Sequence, residues 1–159
     1  MIGAATKSAD DTRDLAAQLS SLARPGDVVL LSGELGAGKT TFAQGFGRGL
    51  GVSEPIVSPT FILMRSYPGR LPLVHCDVYR LDHLQEVIDL GLPELLDEGA
   101  VALVEWGDVV ASALPADFLE VRMEFGDGED DRRLRFRPVG PKWSSRLAPM
   151  RAAVSRWSV

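Results

Sequence analysis

The sequence predicts an α/β fold: a three-layer sandwich in which a mixed β-sheet is flanked by helices, with an antiparallel hairpin toward the C-terminal end. Three observations carry the prediction. The apolar run Val28-Val29-Leu30-Leu31 leads through a glycine-rich turn into an amphipathic stretch from Thr40 to Leu50, a strand–loop–helix unit. A second apolar run, Ala100-Val101-Ala102-Leu103-Val104, stops at a carboxylate, Glu105. Residues 118–125 alternate apolar with charged side chains before a Gly- and Asp-rich turn, and 133–137 alternate again after it. Buried strands separated by helical stretches make a parallel sheet between helix layers, and the hairpin makes that sheet mixed.

Taken in order, Ser8-Ala9-Asp10-Asp11 has the form of a capped helix start. Leu15, Leu19 and Leu22 form the apolar stripe of that helix, and Arg24-Pro25-Gly26-Asp27 ends it. In the helix after the glycine-rich turn, Phe42, Phe46 and Leu50 recur every four residues and mark a buried face. Gly45, Gly47 and Gly49 each cost about 1 kcal/mol in a helix relative to Ala; either this helix packs closely against the sheet or it frays toward Gly51. Pro59 makes the run from Ile56 to Leu63 an edge, a bulge or a loop-to-strand join. Tyr67-Pro68-Gly69-Arg70 reads as a turn, residues 71–77 as a strand ending in Asp77, and Leu84 to Leu90 and Leu92 to Leu96 as two short helices parted by Gly91. Across the hairpin, Glu120 and Glu124 can face Arg133, Arg135 and Arg137, which accounts for the arginine cluster without a ligand. From Trp143 onward the Arg- and Ala-rich chain reads as a helix. The expected organisation is a single domain over residues 1–138 with a helical C-terminal extension over 139–159.

A chain of 159 residues with 45% apolar and 25% charged residues is long enough to bury a core and has the balance of a soluble globular domain. No apolar run approaches the length of a membrane span, and the first residues lack the charged-then-apolar pattern of a leader, so a cytoplasmic location is expected. The single cysteine, Cys76, excludes an internal disulfide, and with two histidines a Cys/His zinc site is not expected. The net charge of −5 gives no bulk attraction to nucleic acid, so DNA is not an expected partner.

The glycine-rich turn is itself a motif. Gly33-Glu34-Leu35-Gly36-Ala37-Gly38-Lys39-Thr40 fits G-x-x-x-x-G-K-[ST], the phosphate-binding P-loop, set between a strand and a helix as the motif requires. Glycines let the backbone curl until its N–H groups converge on phosphate oxygens at a helix N-terminus. Lys39 then offers a positive charge to the β- and γ-phosphates, and the Thr40 hydroxyl an oxygen ligand to Mg²⁺, with Thr41 next to it. The layered fold is therefore expected to be P-loop NTPase-like. The apolar strand that delivers Glu105 has the Walker-B form, a buried strand carrying one acid to the metal beside the loop. Asp77 ends a second apolar stretch, and either acid could hold Mg²⁺ while the other orients water; Glu105, with the purer apolar run, is assigned to the metal first. Ser58 and Thr60 flank Pro59 where such enzymes place a hydroxyl that senses the γ-phosphate, or they cap an ordinary turn. Trp106 is either core or a cover for the nucleotide, and Thr12 is either helix surface or a nucleotide contact. The chain contains no asparagine, so the N-K-x-D guanine-reading motif is absent and adenine is favoured.

The ordered set Gly33 to Phe42, Ser58-Pro59-Thr60-Phe61, His75-Cys76-Asp77-Val78-Tyr79-Arg80 and Val104-Glu105-Trp106 resembles the TsaE (YjeE) family over roughly residues 8–138. These are small bacterial P-loop ATPases required for making tRNA threonylcarbamoyladenosine. The resemblance implies ATP and Mg²⁺ as cofactors and hydrolysis that is slow alone. It also implies docking on a TsaB–TsaD heterodimer that modifies the adenosine next to the anticodon, so that tRNA is met indirectly. On the same ground Thr40 and Glu105 would hold Mg²⁺, Thr60 would be a switch residue, Asp77 a second catalytic acid, Trp106 a nucleotide neighbour and Thr12 an adenine-side contact. Gly107-Asp108 follows Trp106 where many members carry proline, a departure that bears on the shape of that loop. Arg80 is a candidate arginine finger, or a salt-bridge partner of a nearby acid. Outside the resemblance, the same loop in a chain of this size also suits a small-metabolite or nucleotide kinase, or a nucleotide-gated binding module whose hydrolysis is incidental.

Overall fold

The strand that opens the P-loop is the centre of the molecule. The computed structural model describes residues 1–34, 36–57, 63–78, 81–106 and 117–159, with the backbone alone at Leu81, Leu84 and Trp106. In chain order the elements are β1 (Ile2–Thr6), α1 (Ala9–Ser20), β2 (Val28–Gly33), α2 (Lys39–Gly49), β3 (Met64–Tyr67), β4 (Leu73–Val78), α3 (Leu81–Asp89), α4 (Leu92–Asp97), β5 (Val101–Trp106), β6 (Phe118–Phe125), β7 (Arg132–Val139), α5 (Pro141–Ser144), α6 (Leu147–Ala153) and a 3₁₀ turn (Ser155–Trp157). One seven-stranded sheet runs β1-β7-β6-β2-β5-β4-β3. β2 pairs in parallel with β5 on one side and β6 on the other, and β4 is parallel to β5. β7 is antiparallel to β6 and β1, and β3 to β4. This is the mixed sheet with flanking helices and a C-terminal hairpin that the sequence predicts.

Strand periodicity sorts the core into two layers. Val29 and Leu31 of β2 and Leu103 of β5 face Leu15, Leu19, Phe42 and Phe46 of α1 and α2, together with Trp143 and Met150 from the C-terminal helices. Val28, Leu30, Ala102 and Val104 face the opposite way, toward Val87 of α3 and Leu92 of α4. The three glycines of α2 are explained by packing. A Cβ on Gly45 would lie 2.2 Å from the carbonyl oxygen of Arg13, and one on Gly49 would lie 1.9 Å from Ser20 Oγ. Only Gly47 approaches the sheet side, where a Cβ would meet Ile56 at 2.1 Å and Leu73 at 3.3 Å. The helix is therefore closely packed, and its main neighbour is α1.

The structure differs from the sequence reading at three places. β1 was not anticipated, because between Ile2 and Thr6 its middle residues Gly3, Ala4 and Ala5 are small, have little strand propensity and give the period-two burial almost no hydrophobic contrast. Tyr67, read as the start of a turn, ends β3 and is buried, paired across to Leu73. The stretch from Trp143 is not one helix but two short helices and a 3₁₀ turn, folded back so that Trp143, Met150, Val154 and Trp157 are all buried. Among the described residues no helix is long and apolar enough to cross a membrane.

The hairpin pairs as its charge pattern suggests. Glu120 sits opposite Arg137 with a 3.0 Å ion pair, and Glu124 opposite Arg133. Arg122 faces Arg135, a like-charge pair eased by Glu124, 3.6 Å from Arg122 on the same strand.

Candidate functional site

Strand order reverses at β2, with β5 on one side and β6 on the other, so a crevice opens beyond the C-terminal ends of these parallel strands. The P-loop fills that position. Gly33 leaves the sheet at φ 147°, and a Cβ there would stand 2.5 Å from the Met123 carbonyl oxygen, so no other residue fits. Gly38, at φ 103°, is the residue from which α2 starts. Between them the Ala37 N–H donates to the Glu34 carbonyl at 3.0 Å, closing the turn. Lys39 is the first residue of α2; it is 6% exposed, and its Nζ donates to the Gly33 carbonyl at 2.9 Å, folding the ammonium back across the loop. Thr40 and Thr41 follow in the first turn, half-buried.

Two buried acids come to the same corner from the neighbouring strands. Asp77 and Glu105 are register partners on β4 and β5, and Leu31 of β2 pairs with Glu105. By period two, His75, Asp77 and Glu105 all lie on the sheet face that α2 covers. His75 and Glu105 are joined by a 2.6 Å hydrogen bond between Nε2 and Oε2, wholly within the protein. Asp77 Oδ1 is buried without a hydrogen-bond partner among the described residues. Burial first, and then the Glu105 carboxylate beside it, push the Asp77 carboxyl up to about 6, with His75, Lys39 and His83 pulling the other way. Next to them, burial and then Asp77 push the Cys76 thiol up to about 12, so it is inert at neutral pH.

Two crowded carboxylates, one with an uncommitted buried oxygen, are a costly arrangement for the chain alone. They fit a divalent cation, whose charge would offset the repulsion and whose coordination would use that oxygen. Asp77 and Glu105 are paired across β4 and β5, and Thr40 stands in the first turn of α2, next to Lys39.

Thr12 is buried, and its Oγ1 lies 2.7 Å from Thr6 Oγ1. It also lines a small groove, about 60 Å³, with Ser8, Gly38, Thr41, Asp130 and Arg132, beside the start of α2. Glu34 is exposed at the mouth of the loop. Leu35, Ser58 and Thr60, the Arg80 finger and the Gly107-Asp108 departure lie outside the described residues, as does the side chain of Trp106. A hollow of about 430 Å³ lies elsewhere: Gly3 and Ala5 leave β1 without bulk beside Arg133 and Arg135, and neither acid lines it. Sequence reading gave no role to His75 beyond its place in a motif, nor any to Arg132. The burial of His75 was legible only as one polar residue in an apolar strand. The reach of Arg132, which depends on how the hairpin docks, left no signal.

Residues 6–134 match the profile of the family described as threonylcarbamoyl adenosine biosynthesis protein TsaE. The chain is 41% identical over 139 residues to a Bacillus subtilis protein named tRNA threonylcarbamoyladenosine biosynthesis protein TsaE, covering 87% of this chain and 86% of that one. It is 43% identical over 140 residues to the Streptomyces coelicolor protein of the same name, covering 84% and 94%. Its fold superposes on the crystal structure of Bacillus subtilis YdiB with a TM-score of 0.76 at 35% identity, over 98% of this chain and 97% of that one.

Proposed function

This chain belongs to the TsaE family of threonylcarbamoyl adenosine biosynthesis proteins, and on that premise we propose that it is a Mg²⁺-dependent ATPase that serves tRNA threonylcarbamoylation in the cytoplasm by acting on a TsaB–TsaD pair. The observation that supports this most is the meeting, at the end of β2, of a P-loop with two buried acids from adjacent strands. A charged pair so poorly satisfied costs stability, and a chain keeps it where a ligand completes it.

In this reading the loop amides from Gly36 to Thr41, with Glu34 and Leu35 at the mouth, cradle the polyphosphate, and Lys39 exchanges its Gly33 carbonyl for the β- and γ-phosphate oxygens. Thr40 and Glu105 hold Mg²⁺, which when bound neutralises charge on the transferred phosphoryl group. His75 fixes the Glu105 carboxylate from below by its 2.6 Å bond, so that the acid enters the site already oriented. Asp77 accepts a hydrogen bond from the attacking water and aligns it with the γ-phosphate. Thr12 and Trp106 flank the nucleoside, and Ser58 and Thr60 respond to the γ-phosphate. Turnover by the isolated chain is slow, and docking on the partner pair completes the site.

The test is retention of a TsaB–TsaD pair by the immobilised chain loaded with ATP or ADP, alongside modified adenosine formed in a reconstituted reaction. Wild type is expected to retain the pair in a nucleotide-dependent way and to support repeated rounds, and Lys39→Ala to do neither. If Glu105→Ala abolishes ATP turnover yet modification continues at the wild-type rate, the hydrolysis-dependent account is overturned.

A further inference from the structure

The hairpin of β6 and β7 does more than extend the sheet. Its inner face is the wall against which the phosphate loop rests. Gly33 is a register partner of Met123, and Met123 Cε also lies beside Gly38, 3.3 Å from where a Cβ would be. Gly36 lies over the Phe125 ring edge, 3.9 Å from its own notional Cβ. Arg132 closes the arrangement. Its Nε donates to the Ala37 carbonyl at 3.1 Å and one Nη to the Gly36 carbonyl at 3.4 Å. The other Nη donates to the carbonyls of Glu129 at 2.9 Å and Asp131 at 2.8 Å, in the hairpin turn. The guanidinium lies 4.9 Å from the centre of the Phe125 ring. One planar group thus joins two successive carbonyls of the loop to two carbonyls of the hairpin tip, a use of the fixed guanidinium fork that an ammonium cannot copy.

We propose that Arg132 is a positioning residue for the phosphate loop: by holding the Gly36 and Ala37 carbonyls outward against the hairpin, it keeps the loop curled with its amides facing the phosphates before any nucleotide arrives. The proposal rests on the nucleotide-binding reading above. A carbonyl turned out by Arg132 cannot turn in, where it would repel a phosphate oxygen, and preorganisation of this kind raises affinity by removing an ordering cost. Alternation along β7 sets Arg132 on the loop side of the sheet and leaves Arg133, Arg135 and Arg137 on the other, so the neighbouring arginines supply matched controls for charge alone.

The experiment is direct binding of Mg²⁺-ADP and of a slowly hydrolysed ATP analogue to the full chain and to Arg132→Ala, Arg132→Lys, Phe125→Leu and Arg135→Ala, with ATP turnover measured in parallel. Arg132→Ala is expected to weaken binding of both nucleotides by about tenfold, as loss of a charged hydrogen-bonding group implies. Arg132→Lys, which restores charge but not the fork, should recover little of that loss, and Arg135→Ala should stay within about twofold of wild type because an exposed charge contributes little. Phe125→Leu, which removes only the platform, should weaken binding in the same direction and by less. KM for ATP should rise with kcat nearly unchanged, since a firmer loop serves ground state and transition state alike. Binding by Arg132→Ala equal to wild type, or full recovery in Arg132→Lys, overturns the proposal while leaving the nucleotide reading in place. Absence of nucleotide binding in wild type overturns both.

Discussion

The protein buries carboxylates in two regions and treats them in opposite ways. At the start of β2, Asp27 is 2% exposed and fully matched: the Arg146 guanidinium meets both of its oxygens, at 2.5 and 3.0 Å, and the Arg24 N–H donates to it at 2.7 Å. Arg146 in turn sits over the Trp143 ring, 4.3 Å from its centre, and so ties the C-terminal helices to the central strand. At the other end of the same strand, Asp77 and Glu105 are 6% and 3% exposed and crowd each other; His75 bonds Glu105, and among the described residues Asp77 Oδ1 has no partner. One end of β2 spends its buried charge on architecture. The other holds it in an unfinished state, as a site completed by a ligand would.

If the contrast is right, the largest loss of stability follows from breaking the satisfied end. Arg146→Ala leaves a buried, unpaired Asp27 and is expected to cost about 3–5 kcal/mol, read as a drop in the denaturant midpoint. Replacing both partners by apolar residues should restore much of it, and failure to do so would mean that Arg146 acts mainly through Trp143. Next comes the helix contact that sets where the loop sits. Gly45→Ala drives a methyl group into the Arg13 backbone and should cost about 1–3 kcal/mol as overpacking, with weaker nucleotide binding because α2 carries Lys39.

At the unfinished end the sign reverses. The Asp77 carboxyl is held up at about 6 in the folded protein, above its ordinary 3.8. Between those values the native state binds the extra proton, so stability falls as pH rises through the window and stays lower above it. Asp77→Asn should therefore be more stable than wild type at pH 8, by a few degrees given that one kcal/mol moves a domain of this size by about 2–4 °C, with a flatter stability profile between pH 4 and pH 6. Thermal melts across that range would show it, and a variant less stable than wild type at pH 8 would sink the claim that burial and the Glu105 charge penalise the Asp77 carboxylate. The smallest effect belongs to the exposed hairpin charges: Arg137→Ala breaks the 3.0 Å pair with Glu120 and should cost no more than about 1 kcal/mol.

The same contrast explains what the sequence could reveal. The loop, Lys39 and the two acids at the ends of apolar runs are local patterns, and the sheet brings them together because buried parallel strands deliver their last residues to one edge. Gly45, Gly47 and Gly49 pointed either to close packing against the sheet or to fraying, and neither that choice nor α1 as chief neighbour was legible, since spacing along one helix does not name its partner. The Asp27–Arg146 pair joins residues 119 apart in sequence, and no local rule connects them. β1 was silent because the alternation between Ile2 and Thr6 is written in Gly3, Ala4 and Ala5. His75 stood in view as a motif member, yet its bond to Glu105 depends on the register of β4 against β5.

The central claim is that the corner at the end of β2 grips a nucleotide polyphosphate together with its metal ion. Calorimetric titration of the wild-type chain with ADP, with and without Mg²⁺ and repeated on Lys39→Ala, tests it most directly. The account predicts binding that Mg²⁺ strengthens and that falls by about a hundredfold or more without the lysine, as expected for a charged contact to phosphate. Equal affinity in wild type and Lys39→Ala, or no binding with Mg²⁺ present, would contradict it.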